Sequence, residues 1–360
     1  MPKFFENITV NPKDVTDLRE LIPLSIDQDE EFQRFVNLKK VRNGDPVAFL
    51  GDGDDVGLAG SGCDPVYQEY GIANSQKRWT LGDWQIPLKI CYDSLQGTIA
   101  EYTLKTGTDI GDLTSTEFLS YILRPALERQ MKRMIWRFGW FGDTAAKNIA
   151  NGGILTDDVK VKKELFTTCD GLFKRIFAQC TANPSQLTAI PANNEATFDA
   201  QIEAMLVKGV ATKLVDKFLM HTDSRITSDP NAVILMTKAM SDALTYDVKE
   251  RFNVIMPWNV VFEGLDIAEY NGVKIVRVSI WDRMIQAYEK IANNGDVKVN
   301  KPFRMVYANT NAQLQVATES GGLIEDLDIW FDKKERRNYI YSTGKIGTQI
   351  LEDDMFHAAY

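Results

Sequence analysis

The chain has 360 residues, 44% hydrophobic and 25% charged, enough to bury a core in one large domain or in two or three smaller ones. A net charge of −9 and a pI near 5.0 exclude a protein that wraps nucleic acid by bulk charge, leaving at most a local basic patch. With only two histidines, His221 and His357, neither near a nucleophile or metal partner in sequence, the composition speaks against triads and most zinc hydrolases.

No apolar run approaches the roughly 20 residues of a membrane span. The opening MPKFFENITV lacks the apolar segment of a signal peptide, so a cytoplasmic place of synthesis is expected. Cys63, Cys91, Cys169 and Cys180 have no CxxC spacing and read as buried free thiols.

Residues 1–45 are charged with short apolar islands and read as an arm, with short helices expected at 14–21 and 27–40. The acidic, glycine-rich stretch 49–64 invites a nucleotide or calcium reading. No Gly-Lys-Ser/Thr follows, and no strand–helix frame surrounds it. As a calcium loop, Asp52, Asp54 and Gly57 fit, but Val56 replaces an oxygen ligand and Cys63 the closing Glu. A plain loop is the expectation. In 76–92, Trp84, Ile86, Leu88 and Ile90 alternate with Gln85, Pro87, Lys89 and Cys91, a strand that Pro87 assigns to an edge. Asp93 then caps a short helix ended by Gly107.

The longest helix-compatible stretch runs from Leu113 to Asp143. Thr114 and Glu117 are spaced as a capping box. Phe118, Ile122, Leu127, Met131, Met134, Ile135 and Phe138 form one apolar face. A helix of about 24 residues would be about 36 Å long, a spine for a domain. Pro125 kinks or restarts it. Its aromatic tail, Trp136 to Phe141, reads either as the core-packing end of the helix or as a plug at a subunit or domain junction.

A turn-rich connector leads to an amphipathic helix within 163–180. Helix follows over 194–220, broken at Gly209, then a buried strand at 232–236 and a helix over 237–251. Strands are expected in NVIMPWNVVFEG and NGVKIVRVSI, and a helix over 281–292. From 301 the chain reads as β. The basic cluster Lys333, Lys334, Arg336 and Arg337 is either a contact for phosphate or an acidic partner, or a solvated hairpin tip. Sheet-forming pieces flank a helical middle with no repeat, which predicts an α+β fold.

This order of elements, with WQIPLKICYDSLQGT before the spine, MIWRFGWFGDTAA at its end and TGKIGTQILEDDMFHAAY last, resembles the major capsid protein of tailed bacteriophages, the Hong Kong 97-type fold. The resemblance covers about residues 41–360. It implies an N-terminal arm (1–45), an extended loop (46–92), a peripheral domain (93–184) with spine helix 114–138, an axial domain (185–300), and further peripheral β-strands (301–360). It implies a structural protein of the virion, made in the bacterial host's cytoplasm, that assembles with itself into pentamers and hexamers. The icosahedral shell would enclose double-stranded DNA without sequence-specific binding, with portal, scaffolding or other head proteins as partners and no membrane. Candidate subunit-interface residues are Trp79, Trp84, Ile86, Leu88, Trp136, Phe138, Trp140 and Phe141. No catalytic residue, cofactor or metal is expected. Some relatives cross-link through a Lys–Asn bond; Lys77, Lys89 and Lys105 lie in the corresponding region, but the reacting set is not matched and the activity is not carried over. The alternatives are an encapsulin-type nanocompartment shell and, in a different class, a cytoplasmic α+β enzyme with an acidic site at Asp52, Asp54 and Asp55.

Overall fold

The computed structural model describes residues 30–53, 72–91, 124–145, 163–191, 195, 197–262, 265–288, 293–294, 297–298, 302–320, 324, 326–332, 334–335 and 337–360. In chain order the elements begin with helix α1 (Glu30–Gln33) and strands β1 (Asn37–Lys40), β2 (Pro46–Gly53), β3 (Ile72–Arg78) and β4 (Gly82–Cys91). Helices α2 (Arg124–Phe141) and α3 (Leu172–Ala182) follow, then the two-residue strand β5 (Leu187–Thr188). Helices α4 (Phe198–Met205), α5 (Val210–His221) and α6 (Ser224–Thr227) precede β6 (Ala232–Met236) and α7 (Lys238–Phe252). Next come β7 (Asn259–Phe262), β8 (Leu265–Tyr270), β9 (Val273–Val278), α8 (Ser279–Tyr288) and the small pair β10 (Asn293–Asn294) and β11 (Val297–Lys298). The chain closes with β12 (Met305–Asn309), β13 (Leu314–Thr318), β14 (Asp326–Asp332), β15 (Arg337–Ile350) and β16 (Phe356–Ala359).

Two sheets carry the fold. The seven-stranded sheet has the order β5-β16-β12-β6-β9-β8-β7. Its pairs are antiparallel except β6 with β9 and β16 with β5. The second sheet is built on β15, whose 14 residues carry β14 and β13 end to end on one side and β4 on the other. Ile346 makes the sidedness plain, pairing with Thr318 and with Gly82 at once. β1 adds in parallel to β13. The expected edge strand is therefore present: β4 pairs only with β15 among the described strands, and Pro87 lies opposite Tyr341.

Two expectations are corrected. Residues 27–40 do not form one helix; a single turn, α1, gives way to β1, because pairing with β13 supplies a ladder that local propensity does not foresee. The described spine helix runs Arg124–Phe141, three residues past its expected end, and includes Pro125; Thr114 and Glu117 lie outside the described residues, as do the helices expected over 14–21 and 94–107. The segment 301–360, expected to be β, contributes strands to both sheets. β12 and β16 are interior strands of the seven-stranded sheet, and β13, β14 and β15 belong to the other.

The core lies between the sheets. Leu127, Met131, Met134, Ile135 and Phe138 recur at helical spacing on α2, and all are buried. They join one cluster with Leu314, Val316, Ile340 and Ile346 of one sheet and Leu235, Val306 and Phe356 of the other. At the end of α2, Trp140 packs on Trp281 of α8 at 4.6 Å between ring centres and on Phe173 of α3 at 5.2 Å. A second core under α5 and α7 covers the other face of the seven-stranded sheet through Ile234, Met236, Ala268, Met305 and Tyr307.

Two backbones touch where α2 ends and α3 begins. The Gly171 N–H donates to the Gly142 carbonyl at 2.8 Å. A β-carbon at Gly142 would sit 2.3 Å from the Cys169 carbonyl oxygen. Gly142→Ala is expected to lower stability by about 1–3 kcal/mol, since the clash is with backbone; denaturant unfolding reads this as a lower midpoint at unchanged slope.

His357, on β16, is buried, shares a 2.8 Å hydrogen bond with the Thr188 hydroxyl and meets the edge of Phe218. Burial, with a smaller contribution from His221, pushes its pKa down to about 4. The unfolded chain therefore binds this proton at higher pH than the fold does, and stability falls as pH drops below about 6.5. Between about pH 6.5 and 5, before most carboxylates titrate, the expected loss is about 2 kcal/mol, and His357→Gln should flatten that slope in a pH series of thermal melts.

Candidate functional site

The sequence-expected interface residues come first. Trp79 joins Val47, Leu81 and Ala317 in a small buried cluster. Trp84 and Ile86 point from β4 into the main core, and the Trp84 ring lies against Gly344, where a β-carbon would approach it to 2.5 Å. Trp136 meets Phe32 edge-on at 5.2 Å, and Phe138, Trp140 and Phe141 complete the core end of α2. Seven of the eight side chains are thus buried by their own chain, and only Leu88, 38% exposed, reaches the surface. As surface residues these seven are corrected: the aromatic tail of α2 is the core-packing end of a helix, because α3 and α8 cover it.

The basic cluster lies at the tip between β14 and β15. Lys333 and Arg336 are outside the described residues. Lys334 is exposed, its N–H donating to Asp332 at 2.8 Å, and Arg337 lies 3.6 Å from Glu335. Among the described residues of the tip, Glu335 offsets Arg337, and Asp332 caps the backbone of Lys334. Of the acidic set, Asp52 falls in β2, and Asp54 and Asp55 lie outside the described residues. Cys169 and Cys180 are buried, and burial pushes each thiol up to about 12, far from a reactive thiolate.

The surface feature that sequence reasoning missed follows α7. Lys249 and Arg251 close the helix, suiting its C-terminal dipole, and Asn253 takes the left-handed cap at φ 55°. The chain then turns toward β7. Met256 is buried, and Trp258 is anchored twice: its indole N–H donates to the Thr245 hydroxyl at 2.9 Å, and the Arg277 guanidinium lies 4.1 Å over its ring. Between and beyond these anchors Phe252 and Val254 are each 55% exposed, Ile255 75% and Val260 76%. Val260 sits on β7, which pairs only with β8 and is an open edge of the seven-stranded sheet among the described strands. An apolar strip on an open sheet edge is a surface built to be covered.

A buried carboxylate holds the neighbouring turn beside this strip. Asp247 accepts from the N–H of Gly209 and, at 2.8 and 2.7 Å, from the N–H and hydroxyl of Thr212. Arg251 in turn donates to the Thr212 hydroxyl. Burial pushes the Asp247 carboxyl up, but the donors from Thr212 and Gly209 and the Arg251 charge outweigh it and hold the group below its usual range. The network fixes the α4–α5 turn, with exposed Leu206 and Val207, against the end of α7. A signal for the strip was present in NVIMPWNVVFEG: an apolar pair, Val254 and Ile255, follows a helix-ending Asn with no period of its own.

Gly209 caps α5 at φ 84°. Gly209→Ala should cost about 1–2 kcal/mol from the left-handed backbone alone. Asp247→Ala should cost about 2–3 kcal/mol by stranding buried donors. Denaturant unfolding of the two variants measures both.

No protein-family model matches the chain, and no curated protein matches it. Solved structures do. A chain of Mycobacterium phage Ogopogo aligns at TM-score 0.50 and 10% identity, over 91% of this chain and 91% of that one. A structure described as the satellite phage P4 procapsid including size determination protein aligns at 0.49 and 11% identity, over 94% and 98%. The holo-SrpI encapsulin complex from Synechococcus elongatus PCC 7942 aligns at 0.48 and 11% identity, over 93% and 88%. At such identities what is shared with the Ogopogo chain is the fold, along nearly its whole length.

Proposed function

We propose that this chain is the major capsid protein of a tailed bacteriophage, with the Hong Kong 97-type fold, which assembles with itself into the icosahedral head around double-stranded DNA. The exposed apolar strip from Phe252 to Val260, anchored by Met256 and Trp258 at an open sheet edge, carries this reading. Each large apolar side chain buried against another copy contributes about 1.5–3 kcal/mol, and closed rings multiply the contact. The fold shared with the phage Ogopogo chain supports it independently of the strip. In this reading 1–45 is the arm, the β2–β3 hairpin within 46–92 is the loop that lies over a neighbour while β4 stays in its own chain's sheet, and α2 is the spine of the peripheral part. The axial part comprises 185–300 together with β12 and β16, which share its sheet. The chain acts in the virion by geometry and not by catalysis, alongside portal and scaffolding proteins.

Negative-stain microscopy with light scattering tests this. Closed shells, or rings of five and six copies, are expected. The double variant Ile255→Asp, Val260→Asp should remain as small species while melting within about 0.5 kcal/mol of wild type, as surface changes do. A wild-type chain that stays a monodisperse monomer or dimer at every salt and concentration overturns the proposal. Shells recovered from the producing cell with protein cargo and no DNA would make it a nanocompartment instead.

A further inference from the structure

Helices α2 and α8 enclose a groove of about 700 Å³. Arg129, Lys132 and Arg133 line it from α2, at the spacing that puts them on one helix face, and Arg283 lines it from α8. Trp136 forms part of its floor. Arg129, Arg133 and Arg283 are exposed, and Lys132 is half-buried. No acidic side chain is among the described lining residues: Glu128 does not line the groove, and Asp282 is turned inward, accepting from the backbone of Lys238 and Ala239 at the start of α7. Four cations therefore gather in one concavity of a chain whose net charge is −9.

We infer that this groove binds the phosphate backbone of double-stranded nucleic acid, without reading its sequence. Three of the four cations are arginines, whose planar fork matches a phosphate. Duplex DNA presents one charge per about 1.7 Å of axis, dense enough to meet several cations within two helical turns. Arg129, Lys132 and Arg133 also make interactions within the chain, so a phosphate shares or exchanges those contacts. The choice of a duplex over an acidic peptide rests on the shell reading, in which the genome is the polyanion enclosed. The rest of the surface is acidic overall and repels a duplex, so contact is confined to a few points per subunit, repeated over many copies.

Fluorescence anisotropy with a labelled duplex of arbitrary sequence tests the groove in the full chain carrying Ile255→Asp and Val260→Asp, which keeps the subunits apart so that the duplex can reach it. Four phosphate contacts predict a fall in affinity of roughly 10²-fold between about 50 and 200 mM salt. The triple variant Arg129→Gln, Lys132→Gln, Arg133→Gln should flatten the log–log salt slope by about three contacts, and Arg283→Gln alone by about one. Circular dichroism checks folding; should the triple variant not fold, Arg283→Gln decides. Unchanged affinity and slope in the folded variants would overturn the inference, as would a polyglutamate peptide that displaces the duplex at equal charge concentration. Microscopy of the chain without those two changes keeps the readings apart: shells there, with no salt slope in the dispersed subunits, refute the groove alone, and a groove-dependent slope without shells refutes the shell alone.

Discussion

A buried cation in an aromatic box ties the molecule together. Arg304, at the entry to β12, places its guanidinium 5.7, 5.1 and 5.8 Å from the ring centres of Phe141, Phe173 and Phe177. These rings come from the end of α2 and from α3, and Phe177 packs in turn on Tyr360 at 3.9 Å. Trp281 of α8 closes the box against Phe173 at 4.8 Å. One charged side chain beside β12 thus holds the end of α2 and one side of α3 together. A desolvated cation over aromatic faces contributes about 2 kcal/mol or more, and it is also directional, fixing where α3 sits along the strands. Arg175 of α3 continues the theme with hydrogen bonds to Thr348 and Gln349 of β15 at 3.1 and 2.9 Å.

Much of this was legible wherever a local rule governed. Ala232–Met236 was readable as a strand to the residue, since a short run of apolar β-formers between turn signals has few other uses. The break between α4 and α5 was readable at Gly209, where only a left-handed residue fits. What escaped is non-local. Asn37–Lys40 looked helical and is a strand because β13 lies beside it. The β8 strand, LDIAEY, was passed over because two acidic residues interrupt its apolar positions. The division of the last 60 residues between two sheets depends on pairings far apart in sequence, which no window of residues contains.

The candidate site shows the same limit from another side. Trp84, Trp136 and Trp140 look the same in sequence whether their own chain or a neighbour covers them; here helices α3 and α8, strand β15 and Phe32 do so. Ile255 and Val260, less conspicuous by residue type, are the ones left in solvent. Which large apolar residues remain for a partner is decided by subtraction, after the chain has used what its own core requires. The groove cations were visible individually along the spine helix. Their concentration on one side needed α8 to be placed against it.

The position of β16 has a consequence for how the chain is made. It lies between β12 and β5, yet Phe356–Ala359 follow every other described strand. A ribosome delivers the rest of the seven-stranded sheet first, and during that interval β12 and β5 have a gap between them. The sheet closes, and Tyr360 reaches Phe177 and the Ile190 N–H, only once these residues have emerged. A chain cut short before residue 356 lacks an internal strand, leaving β12 and β5 each with an unpaired edge, so truncation there opens the sheet from within.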